Sequence, residues 1–361
     1  MRDTTMSRRG FLRSSAAALG LAGIASAGLA GCGGSSASDG GGELNIFIWT
    51  EYVPDSVIED FESEFGITVN PSTFSTNEDM LAKFTSGEDD AYDLLQPSDY
   101  MVKLMIDQGL LQEMDTSKLE NIGNIGSQYL DQDYDKGNKY SVPYMGSVTA
   151  IAVNTDKVTA DISSYADLFD PAYAGKLVML DDYREVLGIA ADSIGISNNE
   201  TDPDKLELVR AQVMKLKDNI KVYDSDSPKS ALINGDCTLG AVWSAEIALA
   251  QRENPAIQIV FPTEGAEIST DNWVIPAHAK NADNAMKFLD YMMRPEVAKT
   301  ISDDYPYVQP NTSAIDLMDD DFKDNPAENV PATVFESGHR TESLSSDVLK
   351  IYNDIWTDLK S

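Results

Sequence analysis

Leu44-Asn45-Ile46-Phe47-Ile48-Trp49, followed after a short loop by Val57, Ile58, Phe61 and Phe65 and then by Gly66, is the stretch that decides the fold. The six-residue apolar run has the length and composition of a buried strand, and the three- and four-residue spacing after it is that of an amphipathic helix. Glycine beyond the last apolar position supplies the stop. The unit then repeats: residues 67–74 read as a strand, 78–84 as a helix, 92–96 as a strand and 100–107 as a helix ended by Gly109. Alternation at these lengths requires right-handed crossovers and builds a mainly parallel sheet flanked by helices.

Working outward, a polar stretch with Gly and Asn runs from 115 to 139, and an apolar run with Pro143 and Gly146 inside it follows at 140–153. This reads as a loop and then a crossover into a second domain. Strands are expected there at 176–180, 220–223, 238–243 and 257–261, and helices at 185–194, 203–217 and 244–252. A strand at 271–276, helices at 284–293 and 295–302, and a closing helix at 344–359 complete the chain, with no internal repeat. The roughly 320 residues past position 42 exceed what a single core usually supports, so an α/β chain of two domains is expected.

Upstream, Ser7-Arg8-Arg9-Gly10-Phe11-Leu12 reads as a twin-arginine export signal, and the small-residue apolar run after it ends in Leu29-Ala30-Gly31-Cys32, a lipobox. Residues 1–31 are then a signal peptide, and Cys32, lipidated through its thiol, is the mature N-terminus. Residues 32–42 hold no large apolar side chain and read as a Gly/Ser tether reaching roughly 15–20 Å. No later stretch is apolar for long enough to span a bilayer, so the body should be extracytoplasmic and held to the membrane by lipid.

The full chain carries a formal charge of −33. Removal of residues 1–31 takes away four arginines and Asp3, leaving 23 basic and 59 acidic residues and a net charge of −36. Such a body should not bind nucleic acid or an anionic bilayer by electrostatics, and its field would concentrate small cations near any cleft. Solubility or a high-salt habitat would also account for the charge. With Cys32 lipidated, only Cys237 remains, so no disulfide is available and Cys237 is expected to be a small buried residue.

Ligands of open parallel sheets bind where strands end, and several such loops here pair aromatic residues with carboxylates. Trp49-Thr50-Glu51-Tyr52 follows the first strand, Pro97-Ser98-Asp99-Tyr100 the third, and Asp181-Asp182-Tyr183-Arg184-Glu185 the first of the later half; Trp243 ends one strand and Asp271 begins another. Each has a plainer reading. The two tryptophans would serve equally as core, Asp182 as a helix N-cap with Glu185 completing a capping box, Ser98 as a cap, and Asp271 as turn punctuation. Taken together they suit one ligand type: an aromatic face attracts an alkylammonium and covers its methylenes, while a carboxylate accepts the ammonium protons. A linear molecule with amines separated by apolar carbons, a polyamine, has that form.

Four segments in order, Trp49-Thr50-Glu51-Tyr52-Val53-Pro54, Tyr92-Asp93-Leu94-Leu95-Gln96-Pro97-Ser98-Asp99-Tyr100, Asp181-Asp182-Tyr183-Arg184-Glu185-Val186 and Tyr307-Val308-Gln309-Pro310-Asn311, resemble the spermidine/putrescine-binding subunits of ABC importers. The resemblance runs through nearly all of residues 43–361. It implies a two-lobed periplasmic-binding-protein fold, each lobe a mainly parallel sheet with helices and hinge strands between, with residues 43–146 and 270–308 in lobe 1 and 147–269 and 309–361 in lobe 2. It further implies that Trp49, Tyr52, Tyr100, Trp243 and Tyr307 line the alkyl chain beside Thr50 and Ser98, and that Glu51, Asp182, Glu185 and Asp271 receive the amines. The implied partners are a polyamine and an ABC permease; the protein would act as a monomer, without metal, cofactor or catalysis.

Two positions depart from the spermidine-binding pattern. Ser269 stands where that pattern has a tryptophan, leaving a wall missing unless Trp273 or Tyr305 replaces it, and Glu342 stands near an expected glutamine. The departures leave putrescine, spermidine and longer amines open. A competing class is an exported hydrolase using Asp182 with Glu185, or Glu51 with Asp271, as acid and base. Against it, the chain has no Gly-x-Ser-x-Gly elbow, no His-Glu-x-x-His motif and only His278 and His339. The same fold carrying thiamine, an amino-acid-like cation or ferric iron is the third reading. A cargo bearing a carboxylate would need a cationic partner, and Arg184 is the only basic residue in the matched segments.

Overall fold

The computed structural model describes residues 41–87 and 90–361; the signal peptide, Cys32 and most of the tether lie outside them. Among the described residues ten strands form: β1 (Gly42–Trp49), β2 (Ile67–Phe74), β3 (Leu94–Leu95), β4 (Ser141–Asn154), β5 (Leu177–Met179), β6 (Ile220–Tyr223), β7 (Leu239–Trp243), β8 (Ile257–Val260), β9 (Glu267–Val274) and β10 (His339–Arg340). They form one continuous sheet in the order β2-β1-β3-β9-β4-β7-β5-β6, with β10 beside β9 and β8 beside β4.

The expected parallel pairing holds at both ends, where β2-β1-β3 and β7-β5-β6 are parallel. The middle is antiparallel: β4 pairs with β9 through residues 141–149 and with β7 through 149–153. Two parallel halves are therefore joined by one long strand and its antiparallel neighbour, which gives two lobes with separate cores. The first centres on Leu44, Ile46, Phe61, Trp273 and Phe288, and the second on Ile151, Leu177, Val186, Leu239 and Tyr352. Cys237 is buried as a free thiol in the second lobe.

The run at 140–153 that read as a crossover is β4 itself, and its Pro143 and Gly146 have local causes. Proline cannot donate to a ladder, and the β4–β9 register shifts between Pro143 and Met145. Gly146 exchanges backbone hydrogen bonds with Val308, at 2.7 and 3.0 Å, so closely that a Cβ there would lie 3.0 Å from the Val308 Cβ. The helix Asp55–Phe65 stops where expected, on Gly66 at φ 66°, whose N–H donates to the Glu62 carbonyl.

Two boundaries matter for the site. The helix expected to begin at 185 starts at Tyr183, and the strand expected to begin at 271 starts at Glu267. Beyond 309, the helix Thr312–Ile315 packs on helix Pro295–Asp304 and on the turn Ile122–Asn124. Asn311 Nδ2 donates to the Met293 carbonyl at 2.8 Å, and Ser313 Oγ donates to Asn124 Oδ1 at 3.0 Å. This segment, allotted to lobe 2 on sequence, thus rests on elements of the first core. The closing helix, Ser346–Lys360, buries Tyr352, Ile355 and Leu359 in the second.

Candidate functional site

The C-terminal ends of β1 and β7, the face of β9 and the first turn of helix Tyr183–Asp192 converge on one narrow cavity between the lobes. Of the aromatic residues singled out on sequence, Trp49, Tyr52, Tyr100, Trp243 and Tyr307 all line it, as do Thr50, Ser98, Asp182, Glu185 and Asp271. Trp49 and Trp243 meet edge to face at 6.3 Å between centroids, Trp243 and Tyr307 lie 6.5 Å apart, and Tyr307 and Tyr52 lie 4.8 Å apart. The rings form a continuous wall. Trp49 also packs on Phe74, tilted by 53° at 4.6 Å between centroids, so core packing and cavity lining are both served by the same side chain.

The carboxylates are held by hydroxyl and backbone donors. Asp271, 4 % exposed, accepts hydrogen bonds from the Tyr52 hydroxyl and, at 2.6 Å, from the Ser98 hydroxyl. Ser98 therefore faces Asp271 and leaves the N-terminus of helix Asp99–Asp107 without a side-chain cap. Asn77 steadies it through bonds of 3.0 and 3.1 Å. Asp182 does act as a cap, accepting from the backbone N–H groups of Arg184 at 2.8 Å and Glu185 at 3.4 Å. Glu185 does not return a bond to close a capping box; it accepts from the Thr149 hydroxyl at 2.8 Å.

Burial raises all three carboxyl groups from their ordinary values. Glu185 is pushed up to about 8, first by desolvation and then by the charge of Asp182. Asp271 rises to about 7 because burial outweighs its two hydroxyl donors, and burial also raises Asp182. Behind the wall, Glu78 accepts from the hydroxyls of Tyr100 at 3.0 Å and Tyr183 at 3.3 Å and rises to about 7, mainly by desolvation.

Two expected carboxylates do not reach the cavity. Glu51 sits in the left-handed region at φ 53°, which turns its side chain toward Lys229 of the opposite lobe, where the two form an ion pair. That contact and the Ser75–Asp226 hydrogen bond of 2.6 Å bridge the lobes. Glu342 is displaced because Arg184 grips its carbonyl oxygen through both terminal nitrogens at 3.1 Å, while its N–H donates to Asn199 Oδ1 at 2.8 Å. The neighbouring Thr341 lines the cavity instead. Ser269 also lines it, but Trp273, 1 % exposed, belongs to the first core against Tyr144 and Phe288, so it supplies no replacement wall.

Sequence reasoning missed Asn77, Ser147, Arg184 as a loop anchor, and Glu267. The last was hidden by the late strand boundary; alternation along β9 places Glu267, Ser269 and Asp271 on one face. Gly188 makes room for it, since a Cβ on that residue would stand 1.7 Å from Glu267 Oε1. Gly188→Ala is accordingly expected to destabilise the protein by about 1–3 kcal/mol, the cost of overpacking a filled interior, as read by chemical denaturation. Unchanged stability would mean that the carboxylate is free to swing away.

The family model described as "Bacterial extracellular solute-binding protein" matches residues 56–332. The chain is 36 % identical over 319 residues to the spermidine/putrescine-binding periplasmic protein of Salmonella typhimurium, covering 88 % of this chain and 91 % of the relative. It is 29 % identical over 331 residues to the putrescine/cadaverine-binding protein of Pseudomonas aeruginosa, with 88 % and 93 % covered. Among solved structures, the spermidine/putrescine ABC transporter substrate-binding protein of Streptococcus pneumoniae superposes with a TM-score of 0.75 at 33 % identity, over 88 % of this chain and 98 % of that one. With the family model spanning well over half of its length and relatives above 30 % identical along most of it, this chain belongs to the bacterial extracellular solute-binding proteins.

Proposed function

We propose that the protein captures a polyamine in the cavity between its lobes and delivers it to the membrane permease of an ABC importer. The observation that carries this reading is the continuous aromatic wall facing carboxyl groups whose burial suppresses their ionisation. An alkyl chain lies against rings, and its ammonium groups pair with Asp182, Glu185 and Asp271. The relatives named for spermidine, putrescine and cadaverine support the same cargo class. Thr50 and Ser98 flank the chain, while Glu51 acts from outside the cavity through its ion pair with Lys229.

In this reading, residues 43–146 and 270–308 make the first lobe, residues 147–269 with the closing helix make the second, and β4 and β9 are the hinge strands. The lobes close over ligand, and the closed form is favoured only by the ligand's differential affinity for it. A twin-arginine signal over residues 1–31 exports the protein, lipid on Cys32 holds it at the membrane, and it works as a monomer.

Thermal shift of the purified protein with putrescine, cadaverine, spermidine, spermine, thiamine and ferric iron tests the cargo, because a ligand selective for the folded state raises the midpoint. Amines should raise it and the other two should not; indifference to every amine would sink the proposal. Trp49→Ala should weaken amine binding by roughly 0.5–2 kcal/mol, the range for a ring facing a cation, measured by calorimetry. Full retained affinity would assign Trp49 to packing against Phe74 alone.

A further inference from the structure

Glu267 lines the cavity at the start of β9, opposite Thr149 of β4, and is 3 % exposed. Neither oxygen of its carboxyl group has a hydrogen-bond partner. Folded proteins rarely bury a carboxyl group in this way unless a partner arrives to satisfy it. Its position is built, because the missing side chain of Gly188 leaves the space that Oε1 occupies. Gly188 stands three residues after Glu185, one turn along helix Tyr183–Asp192, which puts the Glu267 carboxyl group on the helix face that carries Glu185, within reach of its charge. After burial, the charge of Glu185 is the strongest influence holding Glu267 in its neutral form. Arg184 lies near enough to oppose this weakly, but its terminal nitrogens are engaged by Glu342 and Asn199. The His339 ring pairs instead with Asp192 at 3.1 Å.

The same strand face carries Asp271 four residues on, about 13 Å away at a strand rise of about 3.3 Å per residue. Ser269 lies between them, opposite Ser147, and both serines line the cavity. The absent wall at position 269 is thus an open, hydroxyl-lined track between two acidic ends. Charge favours a longer amine: once a bound cation draws them into the ionised form, the four carboxylates Asp182, Glu185, Glu267 and Asp271 against the one guanidinium of Arg184 leave three negative charges in the lining, one more than the two ammonium groups of a diamine neutralise.

We propose that Glu267 and Glu185 together form an ammonium subsite, and that through it the cavity selects amines with three or more nitrogens over diamines. The proposal rests on the polyamine reading above and commits it to a number of ammonium groups. Calorimetry on the whole protein with putrescine, spermidine and spermine, compared with Glu267→Gln and Glu267→Leu, tests it. Wild type should bind spermidine roughly tenfold or more tightly than putrescine. Each variant should lose roughly tenfold or more of spermidine affinity while putrescine affinity stays within about threefold, as expected when one partner of a buried charge pair is removed. Because both substitutions remove an unpaired buried acid, both variants should also melt at or above the wild-type midpoint when ligand-free. Wild-type spermidine affinity in either variant, or equal losses for diamine and triamine, overturns the subsite. Wild type that binds no amine at all overturns the polyamine reading instead.

Discussion

Asp271→Ala is expected to weaken polyamine binding by about 2–5 kcal/mol, the range for truncating one partner of a buried charge pair, or roughly thirty- to several-thousand-fold in Kd. The size follows from its setting. Asp271 is buried, and its two hydrogen-bond donors, the Tyr52 and Ser98 hydroxyls, are neutral, so a ligand ammonium would bring it a full positive charge that its own hydrogen bonds do not supply. Removing it leaves that ammonium desolvated and unpaired, and leaves two buried hydroxyls without their acceptor. Asp271→Asn separates the contributions, since it preserves an acceptor for the hydroxyls while deleting the charge, and should lose most of the same affinity. Calorimetry showing unchanged binding in both variants would remove Asp271 from the site.

The second large effect is on pH dependence. Glu185 at about 8 and Asp271, Glu78 and Glu246 at about 7 all lie well above the ordinary carboxyl range of the unfolded chain, in each case chiefly through burial. Between about pH 4.5 and 8 the folded protein therefore holds more protons than the unfolded one, and stability falls as pH rises through that window. The ligand-free melting temperature should drop by several degrees from pH 5 to pH 8. A bound polycation favours the ionised carboxylates, so amine affinity should rise across the same interval and binding should release protons. Thermal melts with and without spermidine, and calorimetry in buffers of different ionisation enthalpy, read both effects. A flat stability profile together with no proton release would show that these groups are already ionised in the ligand-free protein.

Much of this molecule was legible in one dimension because the determining forces are local. The strand 67–74, the strand 220–223 and the stop at Gly66 follow from apolar periodicity and from glycine's freedom at φ 66°. Trp49, Thr50, Tyr52, Ser98, Tyr100 and Trp243 stood out because each lies close to the end of a strand or the start of a helix, where the chain pattern itself marks the position, whereas Tyr307 was reached only through the family resemblance. Boundaries were less legible. Tyr183 and Arg184 joined their helix through the Asp182 cap, and residues 267–270 joined β9 through pairing with β4, a partner more than a hundred residues distant. Short helices such as Lys229–Ile233 and Ala332–Ser337 carry too few turns to show a period.

The sequence by itself determined the alternation of strands and helices, the acidic body, and the set of rings and carboxylates from which a cation site is built, since these depend on composition and near-neighbour spacing. Only the tertiary structure decided which of those groups share the cavity. A backbone turn at Glu51 and the hold of Arg184 on the 342 carbonyl carried two carboxylates elsewhere, while the absence of a Cβ at Gly188 admitted a third that no motif marks. The reason is that burial, and the raised proton affinity that comes with it, depends on atoms brought together from distant parts of the chain.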